Sequence, residues 1–218
     1  MKICTLAVVG MLSVGTLFAA SPALASGTDS DSIGQEDVLE LAAALDVTAE
    51  TEAAIGEAYM SLSAAERDVV LETLESDPAA LIEWQASSSS EVGAVALPTR
   101  EEQSRSARAA KATALVAKDS KTAYMLGIPI GTWVIEYKYY ATSTAVTGNI
   151  DCQGWFNGIA VSDTVRESSY IVSGRGTCSA RHTMSFIFKG SPVSWNKLHT
   201  FTTKSGNPRS LSGSLTNV

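Results

Sequence analysis

The sequence predicts an α+β chain in two segments: a small N-terminal helical bundle, then an all-antiparallel β-sandwich or barrel carrying one disulfide. Three observations carry this. Apolar residues recur at helical spacing in the first part of the chain and at period two beyond Gly131. Charge divides along the same line, with 16 acidic residues against one basic residue, Arg67, over positions 27–92, and eight basic against four acidic over 131–218. Of three cysteines, two are expected to survive export, which makes them a pair.

The first element is a targeting segment. Lys2 precedes an apolar run over residues 3–20, and Ala23-Leu24-Ala25 follows Pro22 with the small-x-small pattern of signal peptidase. The run is short for a membrane span, and the flank beyond it is acidic (Asp29, Asp31). Residues 1–25 are therefore expected to be a signal peptide, and the protein to be secreted and extracellular.

Residues 26–86 form the acidic helical, pro-segment-like domain. Ser32 with Gln35, and Ser63 with Glu66, have the spacing of capping boxes, in which hydroxyl and N3 side chain satisfy orphan amides of the first turn. Val38, Leu41, Ala42 and Leu45 follow the first, and Val69, Val70 and Leu74 the second, at helical spacing. Thr48 is placed to cap a helix bearing Ile55, Tyr59 and Leu62. Asp77-Pro78 marks a stop and a fresh start, with Leu81, Ile82 and Trp84 on a last helix.

Residues 87–122 read as a linker, opening on serines and carrying Arg105, Arg108 and Lys111 among small residues, a composition that suits an extracellular protease. Thr99 with Glu102 allows a helix within it.

Residues 123–218 form the β domain. Trp133, Ile135, Tyr137 and Tyr139 share one strand face, with Glu136 and Lys138 on the other. Asn157-Gly158 between apolar runs predicts a type I′ hairpin that pairs Phe156 with Ile159 and Cys152 with Asp163. Asp163 then falls on the apolar face, and a bulge near Gly154 is expected to turn it outward. Cys178 and His182 share a strand face but lie about 13 Å apart, too far for a nucleophile–base pair. Cys178 is expected to join Cys152, closing a loop worth about 3.5 kcal/mol at most. Further strands are expected near 165–173, 193–203 and 209–216, with turns at 190–192 and 205–208.

The chain has no G-x-S-x-G, H-E-x-x-H, Walker or G-x-G-x-x-G sequence and only two histidines, and its Cys and His residues lack zinc-ligand spacing. No catalytic residue, metal, cofactor or nucleic-acid partner is expected. Trp155 and Tyr140, expected on polar strand faces, and the basic residues Arg166 and Arg181 are the candidate binding residues. The expected function is that of a secreted precursor. Its basic β domain has a binding or antagonistic role, toward a cell-wall polymer, an anionic surface or a protein target, and the acidic half contacts and shields it. The alternatives are a secreted hydrolase using His182 or His199, and an unprocessed two-domain extracellular binding protein.

Overall fold

A computed structural model describes residues 29–84, 90–97, 112–159 and 161–218. The expected signal peptide lies outside these residues, as do positions 87–89 and 98–111 of the expected protease-sensitive linker, including the helix allowed by Thr99 and Glu102.

Three helices come first: α1 (Asp29–Ala44), α2 (Ala49–Ser61) and α3 (Ala64–Ser76). Thr48 caps α2 by accepting from the Thr51 amide, and Ser63 and Glu66 close a reciprocal capping box on α3. Helix α1 begins at Asp29, so Ser32 and Gln35 lie within its opening turns instead of capping it. The last expected helix is replaced by one 3₁₀ turn (Pro78–Leu81) that leads directly into a strand, β1 (Ile82–Trp84). Pro78 starts the turn, but Ile82 and Trp84 find partners in the neighbouring strand before a helix can extend.

The remaining strands are β2 (Ser90–Gly93), β3 (Val95–Ala96), β4 (Thr113–Met125), β5 (Ile128–Ala141), β6 (Val146–Gly158), β7 (Ser162–Val172), β8 (Arg175–Phe188), β9 (Ser191–Lys204) and β10 (Asn207–Asn217). All pairings are antiparallel. They form two five-stranded sheets, the first ordered β1-β4-β5-β6 with β3 also on β4, the second ordered β2-β10-β9-β8-β7. The sheet region thus begins at Ile82, well ahead of position 123. Strands β2, β3 and most of β4 fall within the stretch read from sequence as linker, whose polar and small residues mask a clean alternation in β4: Leu115, Ala117, Asp119, Lys121, Ala123 and Met125 all turn inward.

The Asn157-Gly158 hairpin does not form. Strand β6 pairs with β5 through Asn157 and Gly158, Phe156 lies opposite Trp133, and β7 belongs to the other sheet. Gly158 has φ +143, and a Cβ there would meet the Gly131 Cα and the Ile130 carbonyl at 2.4 Å, so the glycine serves a close approach and not a reversal. Reversals occur at Leu126-Gly127, Ser173-Gly174 and Lys189-Gly190, each with positive φ at both residues.

The disulfide joins Cys152 to Cys178, with Cα atoms 5.6 Å apart and a sequence separation of 26. Because β6 and β8 lie in different sheets, it ties the sheets to each other. Two apolar clusters fill the interior. One, around Leu115, Tyr137, Tyr139, Phe201 and Leu211, lies between the sheets. The other joins strand residues such as Trp133, Met184, Phe186 and Trp195 to Leu41, Leu45, Ile55 and Tyr59 of the helices. The helices therefore close one end of the sheet interior. An ion pair between Lys189 and Asp37 lies at its edge.

Candidate functional site

Between the two apolar clusters the sheets bury a layer of charge. Inward positions of β4 bring Asp119 and Lys121, β9 brings Lys197 and His199, β8 brings His182, and β7 brings Asp163. Asp119 Oδ2 lies 3.0 Å from His199 Nε2 and 3.3 Å from Lys121 Nζ. Asp163 Oδ2 lies 3.1 Å from His182 Nδ1. No bulge intervenes between β7 and β8, so Asp163 stays on the inner face instead of turning outward, where His182 bonds its Oδ2 while Oδ1 is buried without a partner among the described residues. Missing side chains make the room: a Cβ on Gly213 would sit 2.0 Å from Asp119 Oδ2, and one on Gly154 would sit 2.3 Å from the Ala180 Cβ and 3.4 Å from His182 Nε2.

The electrostatics follow from this burial. Burial alone would raise the Asp119 carboxyl, but the His199 hydrogen bond and the Lys121 charge outweigh it and hold the group below the ordinary carboxylate value. Burial pushes His199 below the ordinary imidazole value, against the pull of Asp119. The Lys197 amine, bonded to the Asn217 side chain, is pushed down to about 8 by burial.

Each Asp–His pair supplies two of the three members of a hydrolytic triad, and among the described residues no third member joins it. Both imidazoles are 0% exposed. His182 Nε2 and His199 Nδ1 are buried without a hydrogen-bond partner, and no serine or threonine hydroxyl bonds either ring among the described residues. The layer joins strands within the second sheet and ties the two sheets together.

The four expected binding residues lie on two different surfaces. Trp155 is on the outer face of the first sheet, opposite Val134, half-buried with the Lys118 ammonium 5.1 Å from its ring centroid. Tyr140, 47% exposed, is on the same face, but six residues along β5 from Val134, about 20 Å away. Arg166 and Arg181 are on the outer face of the second sheet, directly opposite one another, both exposed and neither in an ion pair among the described residues. The fold brings together the arginines alone.

Sequence reasoning missed the inward charges of β4 and Lys197. The signal was present: Asp119 and Lys121 stand in phase with Leu115, Ala117 and Ala123. It also missed a cleft of about 580 Å³ where the 3₁₀ turn meets the start of β9 and the end of β10, lined by Asp77, Trp195, Asn196, Lys197 and Asn217 among others. No protein-family model matches the chain, and neither a curated protein nor a solved structure matches it.

Proposed function

We propose that the chain is an exported, non-enzymatic binding protein whose two sheets form a β-sandwich and whose second sheet docks on an anionic surface polymer. One observation carries the reading. Arg166 and Arg181 face each other across β7 and β8, both exposed and neither in an ion pair among the described residues. Like charges directly opposite on a sheet are destabilising, so an external anion is the natural complement of the pair.

The helical segment stays with the domain in this reading. Strand β2 is a strand of the second sheet, β1 and β3 pair with β4 in the first, and the helices share an apolar cluster with β5, β8 and β9. These contacts favour the unprocessed or nicked two-segment protein over a precursor that sheds its first part. Intact mass of the protein from culture medium distinguishes them: material beginning near Ser26 supports retention.

The binding itself is tested by sedimenting the purified chain with isolated cell walls that bear anionic polymers. Wild-type protein is expected in the pellet, released by added salt, and the Arg166→Glu/Arg181→Glu variant in the supernatant. Wild-type protein that stays in the supernatant at low salt sinks the reading.

A further inference from the structure

We infer that the ligand of this face is a linear acidic polysaccharide, bound with its anionic groups on Arg166 and Arg181 and its hydroxyls on in-register rows of serine and threonine. This rests on the binding reading above and gives it a chemical class.

The rows follow from the register. Ser168, Ser179, Thr200 and Ser214 stand opposite one another across β7, β8, β9 and β10. Their side chains make no hydrogen bond to any described residue. One step along the strands is the row of Arg166, Arg181, Leu198 and Thr216, and beyond it Thr164, Thr183 and Asn196. On the other side Thr177 and Thr202 share a hydrogen bond of 3.2 Å, in register with Ser212. Of β7 to β10 no Asp or Glu points to this face, since Asp163 turns inward to His182 and the Glu167 carboxylate accepts from the Gly154 amide; the sheet's acidic position in register with it, Glu91 opposite Ser212, lies on the edge strand β2, farthest from the arginines.

Strand geometry sets the lattice. Hydroxyls in a row are about 4.8 Å apart, and rows are about 6.7 Å apart. That spacing is of the order of a sugar ring, and each hydroxyl both donates and accepts, as a sugar hydroxyl does. The guanidinium pair supplies planar forks that suit a carboxylate or a charged ester. Other anions fit less well. A single-stranded nucleic acid would use stacking rings, and among the described residues the only aromatic one on this face is Tyr170, at its edge. A lipid surface would use a continuous apolar patch, and the exposed apolar residues of this face, Tyr170, Val172 and Ile187, stand at its opposite ends with Leu198 alone at the centre.

The test uses the full chain and four immobilised probes: polygalacturonate, neutral dextran, polyphosphate and single-stranded DNA. Polygalacturonate should bind at least roughly tenfold more tightly than the others. Replacing Ser179→Ala and Thr200→Val together should weaken polygalacturonate by about tenfold, the equivalent of two neutral hydrogen bonds, and leave polyphosphate unchanged. Arg166→Ala/Arg181→Ala should remove binding to both anions. Circular dichroism checks that each variant is folded. If polyphosphate or DNA binds as tightly as polygalacturonate, or if the hydroxyl substitutions change nothing, the polysaccharide inference is overturned while binding through the arginines stands. If no anionic probe binds, both fall.

Discussion

At position 213 a single methyl group would displace a carboxylate. The Cβ of an alanine there would lie 2.0 Å from Asp119 Oδ2, the oxygen that bonds His199. Gly213→Ala should therefore lower stability by about 3 kcal/mol in urea unfolding, through overpacking and a broken buried pair. The same network makes the fold sensitive to acid. His199 is held below its ordinary 6.5, so the unfolded chain takes up that proton first and stability falls as pH drops through 6.5. Asp119 is held below its ordinary 3.8, so its contribution is present above that value and is lost as pH falls through and below it. Thermal unfolding should give a lower Tm at pH 5 than at pH 7.5, and His199→Gln should flatten that slope while lowering Tm throughout. Cys178→Ser should cost about 2–4 kcal/mol, measured against the oxidised parent. The disulfide was legible from residue types and the expected compartment alone. The charge layer was not, because Asp119 finds its partner 80 positions away on another sheet.

Among elements, the helices and the strand phase were legible and the strand partners were not. Thr48 and the Ser63–Glu66 box cap their helices as local chemistry dictates, since a cap needs only residues three apart. Within β6, Cys152 and Phe156 face inward and Trp155 outward, as alternation requires. What failed was the inference from Asn157-Gly158 to a hairpin. Phe156 packs on Trp133 with ring centroids 5.1 Å apart, Gly158 nests on Gly131, and these contacts extend the strand past the turn signal. The real reversals put Leu126, Ser173 or Lys189 in the left-handed region, and only the glycine after each is a conventional signal. Two substitutions separate the cases by their stability effect. Gly190→Ala, at φ +75 with no atom within 4 Å of the new Cβ, should cost about 1 kcal/mol of backbone strain. Asn157→Ala, exposed and outside any turn, should stay within about 0.5 kcal/mol.

At the scale of the whole molecule, the charge contrast between the halves misdirects attention. The ion pair Lys189–Asp37 joins them at the surface, but the contact is chiefly the apolar cluster of Leu41, Leu45, Ile55, Tyr59, Trp133, Phe186 and Trp195. A chain cut at a protease site engineered within 98–111 should therefore elute as one species on gel filtration even at 1 M salt. It should separate into two fragments only in denaturant. Separation by salt alone would mean that charge holds the halves. The strand order of the second sheet has one more consequence, and it concerns time. Strand β10, the last of the ten to be synthesised, lies between β2, one of the first, and β9. Neither β2 nor β9 can complete its pairing until residues 207–217 have left the ribosome, and such non-local closure is slow. The second sheet therefore stays open between β2 and β9, however early those two strands emerge, until β10 is available to join them.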